Sequence, residues 1–156
     1  MHRANISDPE FIYDEADADG FRSGMVRLGP RFGAEQTGTS LYEIPPGQAL
    51  CPYHYEYGEE EWLLVVSGTP SVRTPESTER LGASDIVFFP TGPAGAHQVL
   101  NETTEPVRVL MWSTIVTPTA TAYPDSDKIG IWTGHKAEDV MVPRSANVDY
   151  FHGESH

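Results

Sequence analysis

Apolar residues along this chain come in short runs that alternate with polar ones or end at Gly, Pro, Asn or Ser, and Val, Ile, Tyr, Phe and Trp dominate them. Period-two alternation with close punctuation is a strand signal, whereas a helix would place apolar residues every three or four positions. Strands are predicted over 24–28, 40–44, 53–57, 61–66, 71–74, 79–81, 85–89, 96–100 and 107–113. Turn chemistry separates them: PPG at 45–47, SGTP at 67–70, TPES at 74–77, PTGPAG at 90–95 and NETTEP at 101–106. Many short strands at close spacing predict an all-β sandwich or barrel. The first 20 residues are polar and acidic and are expected to form a solvated arm. The last forty or so include TPTATAYPDSDKIGIW and DVMVPRSANVDYF, too apolar for disorder yet without helical periodicity, and are expected to cover the barrel or a partner subunit.

The alternation also sorts side chains by face. His54 and Glu56 are two residues apart in one predicted strand and therefore point the same way. Glu61 opens an apolar run in which Leu63 and Val65 share its face, so a carboxylate is directed at the core. Such a group needs a proton or a cation, since an unpaired buried charge costs several kcal/mol. Histidines nearby are common companions of a divalent ion. Tyr53, Tyr55, Tyr57 and Trp62 fall in the opposite phase and should pack away from that face. Phe88 and Phe89 face opposite ways, as do the Val107, Val109, Met111 and Arg108, Leu110, Trp112 sets. Tyr42 is read either as pocket lining or as packing.

Composition narrows the setting. One hundred and fifty-six residues suit one domain, 1–156, with a barrel core at about 38–114, an N-terminal arm and strand over 1–37 and a covering segment over 115–156. The net charge of -13 argues against nucleic acid and anionic membranes as partners. A single cysteine, Cys51, allows no internal disulfide and reads as a small buried hydrophobe. No secretory leader or membrane-length apolar run is visible, so a soluble cytoplasmic protein is expected. Glu59 and Glu60 fall in a turn and are assigned to solvent, and His2, His135, His152 and His156 are expected to be exposed. Asp125 and Asp127 read as turn formers.

Residues 47–68 spell G-x6-H-x-E-x4-E-x6-G, and PTGPAGAHQVLN at 90–101 ends in H-x3-N, His97 with Asn101. Together they resemble the two motifs of the cupin superfamily, and YPDSDKIGIW is similar to the tail of small single-domain bacterial cupins of unassigned function. The resemblance implies a cupin-type jelly-roll (double-stranded β-helix) barrel holding one divalent metal through His54, Glu56, Glu61 and His97. Glu56 stands where the family usually has a second histidine, Ser84 where it usually has glycine, and the segment from Pro90 to His97 is longer than usual. Two carboxylates and two imidazoles would neutralise a divalent ion and favour iron, manganese or zinc, with nickel also in range, over copper. The other arrangement is a His54, Glu61, His97 face on the metal with Glu56 free as a general base. The expected function is a metal-dependent enzyme of isomerase, lyase or dioxygenase type acting on a small organic molecule. The alternatives are a non-catalytic cupin that binds a small ligand or metal, and a barrel whose metal is purely structural. A homodimer is expected from the exposed aromatic faces and the long C-terminal segment.

Overall fold

In the structure, a computed structural model that describes residues 1–155, strands account for most of the regular backbone. They are β1 (Ile12–Tyr13), β2 (Gly24–Arg27), β3 (Thr37–Ile44), β4 (Tyr55–Glu56), β5 (Glu61–Ser67), β6 (Ser71–Arg73), β7 (Thr78–Arg80), β8 (Ile86–Phe89), β9 (Gln98–Leu100), β10 (Val107–Thr114), β11 (Thr119–Tyr123), β12 (Lys128–Trp132) and β13 (Val140–Pro143), with a short α-helix, α1 (Leu28–Phe32), and single turns of 3-10 helix among the described residues. The all-β architecture read from the alternation is what these strands build. Among the described residues no helix is long and apolar enough to cross a membrane.

One layer is a six-stranded antiparallel sheet in the order β1-β2-β3-β10-β5-β8. Facing it are β7-β6-β9 and β13-β12-β11-β4, which the His54–His97 bridge links next to β4 and β9, while Ala49 bridges to Leu100 of β9. Ile44, Leu63, Val65, Val107 and Val109 of the first layer meet Val72 and Val99 of the second in one buried cluster, with Tyr42 and Met111 packed against it. Each such side chain taken fully from water contributes about 1.5–3 kcal/mol. In β10, Val107, Val109 and Met111 therefore form the inner face. A register shift at Arg108/Val109 against β5 marks a bulge.

Three expectations change. The N-terminal arm is not wholly solvated: β1 pairs with β2, Tyr13 Oη donates to Glu43, and Arg108 both donates to Glu43 and lies over the Phe11 ring. The tail, for which no strands were predicted, forms an antiparallel meander of β11, β12 and β13 that extends the sheet through β4. TATAY and KIGIW are the two arms of a hairpin turning through Pro124–Ser126. Strand 53–57 shortens to β4, since His54 pairs across to His97 while Tyr55 and Glu56 pair with β11.

Candidate metal centre

His54 and His97 are brought together by backbone pairing. The His54 N–H donates to the His97 carbonyl at 3.1 Å and the His97 N–H returns the bond at 2.8 Å. In such a hydrogen-bonded antiparallel pair both side chains leave on the same face, and the imidazole centroids lie 4.7 Å apart. Glu61 reaches the same point from the opposite layer, inward with Leu63 and Val65 as its alternation requires.

The Oε2 of Glu61 lies 3.7 Å from His54 Nε2 and 3.5 Å from His97 Nε2, and one donor atom from each of the three residues falls within 4.8 Å of the others. Around a metal at about 2.1 Å from each ligand, tetrahedral ligand atoms would be separated by roughly 3.4 Å. The backbone prepares the imidazoles for this. His54 Nδ1 is 2.9 Å from the Pro52 carbonyl and His97 Nδ1 is 2.9 Å from the Gly95 carbonyl. Carbonyls only accept, so each Nδ1 carries the proton and each Nε2 presents a lone pair, the arrangement in which histidine binds metals. His97 is 1 % exposed and its Nε2 has no hydrogen-bond partner. A buried polar atom left unpaired is uncommon, and a cation beside the Glu61 carboxylate would satisfy it. The donor set and its spacing fit a divalent metal.

Glu56 is adjacent but engaged elsewhere. Its Oε1 is 3.8 Å from His54 Nε2, while its Oε2 accepts a 2.6 Å hydrogen bond from Thr121 Oγ1. It lies outside the three-residue grouping.

Electrostatics follow from burial. Desolvation, with smaller contributions from nearby carboxylates, pushes Glu56 up to about 8 against the opposing Thr121 hydrogen bond, and pushes Glu61 up to about 7. Burial, with the neighbouring His54, lowers His97 to about 3, and burial also lowers His54. Cys51 Sγ lies 3.6 Å from His54 Nδ1, and burial pushes its thiol up to about 12, which keeps it protonated. Cys51 as a residue is half-buried rather than part of the core.

The surroundings settle several open phases. Phe89 pairs directly with Glu61 and stacks on His97, centroids 3.7 Å apart and planes 9° apart, so Phe89 walls the site and Phe88 faces out. Tyr123 stacks on His54 at 6.1 Å. Tyr42 packs on the core, and burial raises its hydroxyl against the opposing Ser40 hydrogen bond. Tyr53 and Tyr55 are buried away from the site, whereas Tyr57 is exposed. Glu59 departs from its assignment to solvent: it is half-buried, accepts a hydrogen bond from Thr119 and lines the site cleft. Glu60, His2, His135 and His152 are exposed, and His156 lies outside the described residues. Asp125 forms a two-pronged ion pair with Arg73, and Asp127 adopts the left-handed conformation of a turn.

Glu56, Glu59 and Glu61 open into a cleft of about 700 Å³ that also carries Arg27, Thr119, Trp132 and Lys136. Thr121 and Trp132, which shape this side, were not singled out in the sequence, and the signal for them was the TATAY-PDSD-KIGIW hairpin pattern.

The Cupin domain family matches residues 40–113. A candidate sugar phosphate isomerase from Acidithiobacillus ferrooxidans superposes with a TM-score of 0.76 at 25% identity, covering 83% of this chain and 81% of that one. A sugar phosphate isomerase of the cupin superfamily from Silicibacter pomeroyi gives 0.77 at 21% identity, over 90% and 91% of the two chains. A polyketide cyclase from Streptomyces resistomycificus gives 0.61 at 20% identity, over 76% and 83%. The last two likenesses concern the fold. No curated protein matches the chain.

Proposed function

We propose that this chain, which belongs to the cupin superfamily, is a metal-dependent isomerase of small hydroxy-carbonyl compounds that carry an anionic group. The observation that carries the reading is the unpaired, buried Nε2 of His97 facing the Glu61 carboxylate and His54 Nε2. His54, Glu61 and His97 would hold the metal, and two nitrogens with one oxygen suit iron(II), manganese or zinc. When bound, the ion supplies a Lewis acid for a substrate carbonyl or hydroxyl oxygen.

The remaining chemistry belongs to the chain. Glu56 is within reach of the same space, with Oε1 3.8 Å from His54 Nε2 and the other oxygen held by Thr121, which places a carboxylate where a proton carrier is needed. It would take a proton from the hydroxyl-bearing carbon next to the carbonyl and return it to the former carbonyl carbon, while the hydroxyl proton passes to the former carbonyl oxygen through the enediol, so that aldose and ketose interconvert with every proton accounted for. Phe89 and Tyr123 flank the imidazoles and limit water beside them. Arg27 and Lys136 line an otherwise acidic cleft, and among the described residues neither makes an ion pair. They would hold a phosphate or carboxylate at the end of the substrate remote from Glu56. The Acidithiobacillus ferrooxidans structure supports a sugar phosphate as that substrate.

The test is solvent-deuterium incorporation into aldose and ketose phosphates by protein loaded with iron(II), manganese or zinc. Metal-dependent exchange at the carbon beside the carbonyl supports the reading. Tight binding of these compounds with no exchange would instead favour a non-catalytic binding cupin.

The outer face of the six-stranded sheet supports a homodimer. Trp112, Trp62 and Phe88 lie side by side on β10, β5 and β8, and Leu110, Leu64 and Ile86 form the next row. Trp62, Phe88 and Ile86 are 36%, 41% and 59% exposed, a contiguous apolar patch of the kind that marks an interface.

A further inference from the structure

We propose that Thr121 and Trp132, on the C-terminal hairpin, are positioning residues that hold Glu56 outside the coordination shell of the His54–Glu61–His97 centre. The proposal rests on the metal-centre reading above and adds a specific device to it. Glu56 and Thr121 are directly opposed in the β4–β11 ladder, so their side chains leave on the same face and meet at 2.6 Å. Trp132 Nε1 lies 2.6 Å from the same Thr121 Oγ1.

The direction of each bond follows from the donor inventory. An indole N–H can only donate, so the Thr121 oxygen accepts from Trp132, and its one hydroxyl proton is left for Glu56 Oε2. Thr121 is 2% exposed, which leaves no room for solvent to replace either partner. The chain therefore runs one way, from indole to hydroxyl to carboxylate. It ties down Oε2 and leaves only Oε1 turned towards His54.

Gly130 makes the indole's position attainable. In the β11–β12 ladder Thr121 faces Gly130, and Trp132 lies two residues further along the same face. The indole lies across the glycine, where an added Cβ would meet Trp132 Cζ2 at 2.9 Å and the Met141 methyl at 3.0 Å. Any side chain at 130 would displace the donor that sets Thr121.

The consequence is a division of labour between two carboxylates in one site. Glu61 has no hydroxyl partner and is free to ligate, whereas Glu56 is anchored through the hairpin. The tail that seemed only to cover the barrel thus decides how many ligands the centre has.

Cobalt(II) tests this directly, because its visible bands weaken as the coordination number rises. Cobalt(II) spectra and affinities would be recorded for the full chain, for Thr121→Val, which keeps shape and removes the hydroxyl, for Thr121→Ser, which restores it, and for Trp132→Phe. We expect Thr121→Val to release Glu56 onto the metal, with loss of band intensity and affinity raised about tenfold or more, and Thr121→Ser to return the parent spectrum. Trp132→Phe should move the spectrum in the same direction as Thr121→Val. Spectrum and affinity unchanged in both Thr121→Val and Trp132→Phe would overturn the proposal while leaving the centre intact. Failure of the parent protein to bind cobalt(II) through His97 would overturn the centre itself and this proposal with it.

Discussion

His54 and His97 are bonded to each other through both backbone amides, and this pairing, more than any side-chain contact, sets the distance between their Nε2 atoms. They stand 43 positions apart in sequence. The ladder that joins them also seats His97 against Phe89, so its imidazole cannot turn away without breaking a stacked contact.

Removal of that ring therefore gives the first prediction. His97→Ala should reduce bound divalent metal from about one per chain to nearly none, measured by elemental analysis after dialysis. Metal retained at full occupancy in a folded variant would exclude His97 as a ligand. Circular dichroism checks folding, because the variant also opens a cavity beside Phe89.

Glu61 allows a sharper test, because a ligand role and a structural role move two observables in opposite directions. Without metal, a carboxylate buried against two neutral imidazoles destabilises the fold when ionised, so Glu61→Gln should raise the melting temperature of chelated protein at pH 8, by the equivalent of about 1 kcal/mol or more. The same change should weaken divalent metal binding at least a hundredfold or so. A variant less stable without metal and equally tight with it would remove Glu61 from the centre.

How much of this could be read from the sequence depended on whether local parity or distant pairing decided it. The i, i+2 rule placed His54 and Glu56 on one face, and the phase of Leu63 and Val65 turned Glu61 inward, as found. Phe88 and Phe89 could be separated but not assigned, because only the register of β8 on β5 shows that Phe89 meets Glu61. Ser84, where cupins usually have glycine, does hold a positive φ of 77°, so the turn keeps the glycine geometry with another residue. The Thr121–Trp132 pair was hidden for another reason. Its partners come from three strands, and the space it needs is created by the absence of a side chain at Gly130. The N-terminal arm looked solvated because it is acidic, yet Tyr13 and Phe11 fix it on Glu43 and Arg108.

Acidity supplies a third prediction, for the metal-free protein. Glu56 near 8 and Glu61 near 7 lie above the ordinary 4.5, so the folded chain retains protons that the unfolded chain releases, and stability falls as pH rises through that interval. His97 near 3 lies below the ordinary 6.5, so stability also falls as pH drops from 6.5 towards 3. Between about 4.5 and 6.5 the two effects oppose each other, and above 6.5 only the carboxylates act. Melting temperature of chelated protein should therefore decline from about pH 6.5 to 8. Added divalent metal should reverse the decline, because ligation requires the deprotonated carboxylate. A flat profile in this window, with and without metal, would contradict the burial of these two groups.

Trp62 supplies the last prediction, from the side of β5 opposite to Glu61. Alternation that points Glu61 into the site points Trp62 out, where it stacks parallel to Trp112 at 5.9 Å and tilts against Phe88 at 4.7 Å. A two-fold dimer built on this face would bury a self-complementary aromatic row, and a charge at its centre would be placed opposite its own copy. Trp62→Glu should therefore shift sedimentation from dimer to monomer by at least a tenfold weaker association. Metal content should be unchanged, since position 62 does not face the centre. A parent protein that sediments as a monomer at micromolar concentration would show that this patch serves something other than self-association. A dimer that survives Trp62→Glu would place the interface elsewhere on the molecule.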